Sequence, residues 1–270
     1  MKEFIKRSIS GIFFVLIILV AIRVHIFSLF FLFLIILIFS LNEFYNLLYK
    51  LKFHPYKFFG VFAAAIMLSI NFLVASNILD HKFLLLNLFI ISSFPVIPLF
   101  YHKGNFVQSW ATTLLGWIYI LIPLSILSFI SQITGKYEAE LIMSIFIIIW
   151  VFDSFAYISG TLLGKHKMFP GISPKKSWEG FAGGLTLTLG LTFFLSPYVA
   201  VLSMNEWMFL SLIIVVTGTL GDLIESAIKR NAGVKDSGRF MPGHGGFLDR
   251  FDSLLFALPF IYIYLIFIVK

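Results

Sequence analysis

The chain has 270 residues, of which 60% are hydrophobic and only 12% charged, against about 45–50% and about 25% in soluble domains. A soluble fold of this size has nowhere to hide that apolar surface, and a chain carrying 34 Phe does not stay disordered. The absence of cysteine excludes disulfides, thiolate metal sites and Cys nucleophiles. The net charge of +7 is therefore read by position, as topology.

A hydrocarbon core about 30 Å thick needs roughly 20 apolar residues per helix. Runs near 8–22, 24–41, 58–78, 83–100, 110–130, 141–163, 180–202, 207–228 and 252–269 meet this requirement. They predict an all-α integral membrane protein of nine transmembrane helices. The first two runs meet in a tight turn around Arg23, and reading them as one broken segment would change the parity. The first follows Lys2, Lys6 and Arg7, as in a signal peptide. It lacks a small-x-small cleavage site and another apolar run begins at once, so it reads as an uncleaved anchor. With the N-terminus in the cytoplasm, sixteen of the 20 Lys and Arg lie on cytoplasmic segments. The other four, Arg23, Lys82, Lys136 and Lys270, lie outside. That asymmetry follows the positive-inside rule and puts the C-terminus outside.

The chain changes character along its length. Residues 1–140 read as an N-terminal transmembrane scaffold, rich in Phe, Ile and Leu. Residues 141–270 read as the catalytic region, because there the helices are interrupted by Gly, Pro, Ser and charge. Asp153, Glu179, Asp222, Glu225, Asp236, Asp249 and Asp252 concentrate in it. Its two long polar loops, about 164–179 and 229–251, share the cytoplasmic face.

Asp153 lies ten residues before the cytoplasmic end of its helix, roughly 15 Å deep at 1.5 Å per residue. An intramembrane carboxylate costs about 2.5–3.5 kcal/mol on insertion scales, so it should face a partner or a wet cavity. Gly160 and Gly164 form a small-xxx-small face suited to close helix packing. The stretch Gly-Thr-Leu-Leu-Gly-Lys-His is not a P-loop, since it has three residues between the glycines and no Ser or Thr after the Lys. Ser173 and Ser177 are candidate helix caps. Beside them Lys175 and Lys176, at a helix N-terminus, make an anion site. Asp222, Glu225 and Ser226 share one helix face by their spacing, and it must point inward. Lys229, Arg230, Lys235, Arg239 and Arg250 supply cations around Pro242-Gly243-His244-Gly245-Gly246. The three glycines there permit unusual dihedrals and close backbone approach to a ligand. Acids able to hold a divalent cation, set among bases able to hold phosphates, are what phosphoryl-type transfer needs.

The run Ser226-x-Ile228-Lys229-Arg230-x₄-Lys235-Asp236-x-Gly238-x₃-Pro242-x-His244-Gly245-Gly246-x₂-Asp249-Arg250-x-Asp252 resembles the signature of the phosphatidate cytidylyltransferases, also called CDP-diacylglycerol synthases. Asp153-Ser-Phe-Ala-Tyr and Ser173-Pro-Lys-Lys-Ser-Trp-Glu-Gly resemble that family's other blocks in the same order. Met241 stands where the family usually has Leu, Ile or Phe. The resemblance covers residues 150–255.

The resemblance implies Mg²⁺-dependent transfer of the cytidylyl group of CTP onto phosphatidate, giving CDP-diacylglycerol and pyrophosphate. Compact size and the lack of a targeting extension suggest a bacterial plasma membrane, and the charge asymmetry puts the active site on its cytoplasmic face. Under the resemblance, Asp222 and Asp249 are the first choice for metal ligands. Asp153, Glu225 and Asp252 are the second choice, and a second cation stays open. Lys229, Arg230, Lys235 and Asp236 join Asp222 and Asp249 as catalytic candidates. Lys175, Lys176, Ser177, Ser226, Arg239, His244, Gly245, Gly246 and Arg250 are candidates for binding substrate. The partners are CTP, phosphatidate and the lipid bilayer, without nucleic acid, and a homodimer is left open. A transporter, or another membrane phosphotransferase, is the competing reading of the charges. The pattern Asp-Gly-x₂-Ala-Arg of CDP-alcohol phosphotransferases is absent.

Overall fold

A computed structural model describes residues 2–100, 105–238 and 245–269. Chain order gives α1 (Lys2–Val24), α2 (Ile26–Lys50), α3 (Lys57–Ala75), α4 (Leu85–Ser93, entered through a 3₁₀ turn at His81–Leu84) and α5 (Val96–Phe100). Next, α6 (Phe106–Gly116) runs through a π-helical turn at Trp117–Leu121 into α7 (Ile122–Ile130). Then come α8 (Ala139–Leu163), β1 (Lys167–Phe169), β2 (Ser173–Ser177), α9 (Trp178–Leu195), α10 (Met204–Asn231) and α11 (Asp252–Ile268).

This is an all-α membrane architecture carrying one small hairpin. Among the described residues, six helices are long and apolar enough to cross a membrane: α2, α3, α6 through α7, α8, α9 with its 3₁₀ extension, and α10. Gly11–Val24, His81–Ser93 and Asp252–Ile268 are apolar but shorter. The tight turn between the first two runs is centred on His25, whose Nδ1 accepts a hydrogen bond from Phe27 N at 3.2 Å. Ser28 Oγ accepts one from His25 N at 3.1 Å, completing a reciprocal cap.

The long helices hide one face and show another to lipid. In α2, Leu29, Phe33, Ile36, Leu37, Leu41 and Phe44 are buried at helical spacing, while Phe27, Phe31, Ile35 and Phe39 form an exposed stripe. Lipid offers these side chains as apolar a surrounding as a neighbouring helix does, so close contact through small residues and hydrogen bonds must hold the bundle. Gly116 meets the ring of Tyr45, whose hydroxyl donates to Thr113 O at 2.9 Å. Trp117 Nε1 donates to Gly60 O at 2.9 Å. Between α8 and α9 the expected small-residue face is in use. A Cβ added at Gly180 would lie 2.9 Å from Ala156 O and 3.0 Å from Gly160 Cα. Gly221 does the same for α10 and α11, where a Cβ would come within 2.7 Å of Phe256 Cβ.

One sequence expectation needs correction. The stretch near 164–179, read as a polar loop, is an antiparallel hairpin with Lys167 opposite Ser177 and Phe169 opposite Ser173. The Pro170-Gly171 step favours a turn, and β2 lies against the ends of α8 and α9, which stabilises a ribbon too small to stand alone.

Candidate functional site

The site is assembled where α8, the hairpin, α10 and the start of α11 meet. Ser177 ends β2 in extended geometry, and its Oγ accepts a hydrogen bond from Gly180 N at 3.1 Å, which caps α9. The cap is locked from the other side by Gly164, where a Cβ would lie 2.6 Å from Ser177 Oγ. Glu179, two residues on, accepts from Lys165 N at 3.1 Å and His166 N at 3.2 Å, and its Oε1 lies 2.6 Å from His166 Nδ1. These bonds tie the end of α8 to the start of α9. They leave Lys175 exposed and turn Lys176 inward, where its Nζ pairs with Asp222 Oδ2 of α10 at 2.5 Å.

Between these elements lies a cavity of about 660 Å³ lined by Asp153, Tyr157, Lys175, Lys176, Ser177 and Asp222. Asp153 therefore opens into a cavity, as its cost in lipid demanded. Asp222 also accepts from Ser226 Oγ at 3.1 Å. Asp222, Glu225 and Ser226 point inward, with Glu225 and Ser226 buried.

One turn further along α10, Lys229 is buried between two carboxylates. Its ammonium pairs with Glu225 Oε2 and with Asp249 Oδ1, the latter at 2.5 Å. The other oxygen of Asp249 accepts from Gly246 N at 2.6 Å and from Ser237 N and Oγ, both at 3.0 Å. Burial alone would raise the Asp249 carboxyl, but Lys229 and these N–H donors outweigh it and hold it below the ordinary carboxylate range. Asp252, also buried, accepts from Ser253 N at 2.6 Å and interacts electrostatically with Asp222, Glu225 and Asp153.

The candidate catalytic, metal and substrate residues divide into groups. Lys176, Asp153 and Asp222 meet around the cavity, and Glu225, Lys229, Asp249 and Asp252 lie together beside it. Ser177 lines the cavity, but its hydroxyl is engaged as a cap. Arg230 is exposed and turned to backbone, donating from Nε to Ile172 O at 3.3 Å and from an Nη to Val234 O at 2.9 Å. Lys235 and Asp236 are exposed on the limb that follows α10. Arg250 is exposed and interacts electrostatically with Asp153. Arg239 and His244 lie outside the described residues. Gly245 has φ +83°, the left-handed backbone expected of this glycine-rich turn. Gly246 is tight for another reason, because its neighbours are Ser237 and Glu43.

Glu43 was missed. It belongs to α2, within the presumed scaffold, and its Oε2 accepts from Ser237 Oγ and Leu248 N, both at 2.9 Å. The lone acid of a mostly apolar helix was the available signal. Ser237 was missed as well, being an unremarkable serine in a polar stretch.

Among the described residues no three His, Asp or Glu side chains converge as a ready-made metal cage. The donor set still suits a hard divalent ion, which needs only one or two carboxylates with phosphates and water. Glu225 Oε1 is buried, and Asp222 and Asp153 set like charge around Asp252.

The sequence pattern of the cytidylyltransferase family matches residues 5–268, and the chain belongs to that family. Its relatives include proteins named phosphatidate cytidylyltransferase. That of Staphylococcus epidermidis is 51% identical over 127 residues, covering 46% of this chain and 48% of the relative. Those of Staphylococcus haemolyticus and Staphylococcus aureus are 50% identical with the same coverage. The matched stretch thus spans about half the length of each of these relatives.

Proposed function

We propose that this protein is a phosphatidate cytidylyltransferase, which joins CTP and phosphatidate into CDP-diacylglycerol and releases pyrophosphate. The observation that carries the reading is the cavity between α8, the hairpin and α10, with Lys175 and Lys176 beside Asp153 and Asp222. Two polyanions brought together need cations to receive them, and a lipid substrate needs walls that open between apolar helices. Family membership and the names of the relatives support the same reaction.

In that reaction a phosphatidate oxygen attacks the α-phosphorus of CTP in line. The new P–O bond forms as the bond from the α-phosphorus to the bridging oxygen breaks, and pyrophosphate leaves with that electron pair. A dianionic phosphate has no proton to surrender, so no residue is assigned as general base. Lys175 and Lys176 receive phosphates at the cavity, while Lys229, held between Glu225 and Asp249, fixes those two carboxylates beside it. Catalysis by these groups is positioning and charge neutralisation. Mg²⁺ would be held by Asp222 and Asp249, with Glu225, Asp153 or Asp252 assisting, and when bound it would neutralise phosphate charge.

The same reading gives nine transmembrane helices with the N-terminus in the cytoplasm. It is supported by the six long and three shorter apolar helices among the described residues and by the sixteen-to-four division of basic residues. The active site then faces the cytoplasm, and the staphylococcal relatives favour a bacterial plasma membrane.

The test supplies purified protein in detergent with phosphatidate, Mg²⁺ and α-³²P-labelled CTP. The label is expected to enter the organic phase and to stay aqueous when EDTA is added. Folded protein that binds CTP yet leaves the lipid unlabelled would overturn the assignment, and nucleotide-dependent flux in proteoliposomes would then favour transport.

A further inference from the structure

An apolar helix that faces lipid on one side and core on the other has no packing need for a carboxylate. Glu43 is nevertheless buried in α2, at 9% exposure, where an unbonded charge would be costly. What it holds is the stretch that carries Asp249. Its Oε2 accepts from Ser237 Oγ on the limb leaving α10 and from Leu248 N on the limb entering α11. The backbone is fitted around this carboxylate, since a Cβ added at Gly238 or Gly246 would collide with it. Ser237 passes the attachment on by giving both its N–H and its hydroxyl to Asp249 Oδ2. The far oxygen of Asp249 is the one that meets Lys229.

We propose that Glu43 is a positioning residue for nucleotidyl transfer. It draws the limbs at 235–238 and 245–249 onto α2 and thereby aims Asp249 at Lys229. The inference rests on the reading of the site as a cytidylyltransferase centre. Among the described residues Glu43 hydrogen-bonds Ser237 and Leu248, and it acts on Asp249 through them. Ser237 Oγ has one hydrogen and two carboxylate neighbours, at 2.9 and 3.0 Å. The hydroxyl is therefore shared, and removing either neighbour changes how firmly the other is held.

The test compares Glu43→Ala, Glu43→Gln, Ser237→Ala and the Glu43→Ala/Ser237→Ala double variant. Turnover is read as kcat and as KM for CTP, and amide hydrogen exchange is read across both limbs. Glu43→Ala is expected to lower kcat about a hundredfold, the scale of a misplaced catalytic group, with a much smaller change in KM. Glu43→Gln keeps one carbonyl oxygen for the Leu248 N–H and should recover part of that loss. The double variant should be no worse than Glu43→Ala alone, because the two residues act in one chain. Protection should fall at Ser237, Gly246 and Leu248 and persist along α2 and α3. Unchanged kcat in Glu43→Ala, losses that multiply in the double variant, or protection lost equally throughout α2 would each overturn the proposal. If Glu43→Ala does not insert, Glu43→Gln and Ser237→Ala decide by the same criteria. Should the wild type form no CDP-lipid, the functional reading fails, yet hydrogen exchange still decides whether Glu43 holds the two limbs.

Discussion

Replacing Asp249 by Asn removes one charge while keeping shape. The side chain now serves two masters: Oδ1 pairs with Lys229, and Oδ2 accepts from Gly246 N, Ser237 N and Ser237 Oγ. Asn has a single carbonyl oxygen. Turned toward the loop, it satisfies those donors but points an NH₂ at the Lys229 ammonium. Turned toward Lys229, it points that NH₂ at two backbone N–H groups. Either way a buried donor loses its acceptor, at about 1–3 kcal/mol. Glu225 still faces Lys229, so the loss stays below the roughly 3–5 kcal/mol of an ion stripped of its only partner. Against a total stability of about 5–15 kcal/mol the variant folds and inserts. Turnover should nevertheless fall by at least about 10²–10³-fold, the scale of removing one preorganised electrostatic group. The assay is transfer of α-³²P from CTP to lipid, run beside a thermal melt in detergent that shows the variant folded. Near-normal turnover in the folded variant would refute the role given to Asp249 in this reaction.

Lys176→Met removes the partner of Asp222 and one cation from the cavity. A charge-assisted contact of about 1.5–3 kcal/mol predicts a fall in kcat/KM for CTP of about 10–100-fold, with partial rescue in Lys176→Arg; an unchanged kcat/KM would show that no phosphate depends on it. Gly180→Val puts a branched side chain against Ala156 O and Gly160 Cα, both backbone atoms that cannot rotate away. Overpacking of about 1–3 kcal/mol is expected, read as a melting temperature several degrees lower and a weakened response to CTP. An unchanged melt would show that α8 and α9 are free to separate.

The parts of this molecule that could be read from its sequence are those fixed by local pattern. Long apolar runs mark the spans because lipid imposes length and polarity on each helix separately. Ser177 could be read as a cap, and Gly160 with Gly164 as a packing face, because each depends on spacing within a few residues. The inward face of Asp222, Glu225 and Ser226 followed from helical spacing and the cost of charge in lipid. What escaped were pairings over long chain distances. Glu43 meets Ser237 and Leu248 across about two hundred residues, and no local pattern announces such a contact. Arg230 looked equivalent to its neighbour Lys229, yet one step around the helix turns it out to the carbonyls of Ile172 and Val234. The hairpin was missed because two short strands gain their stability from the helices that β2 rests on.

The arrangement of the lysines bears on how such a site could be both stable and reactive. Lys176 and Lys229 are each already paired, with Asp222 and with Glu225 and Asp249. Left unpaired, the buried Lys229 ammonium would cost several kcal/mol, so its carboxylates keep it in place without substrate, while the half-buried Lys176 is held by Asp222 at the cavity. In the proposed reaction an incoming phosphate offers Lys176 another anion at the same short range. The exchange is one ion pair for another, with little net desolvation, and it frees Asp222 to turn toward other positive charge. Lys229 cannot move in the same way, because Asp249 is fixed by three donors and, through Ser237, by Glu43. One lysine can change partners while the other stays anchored, a division of labour that suits a site where one group captures a polyanion and another holds the field in which it reacts.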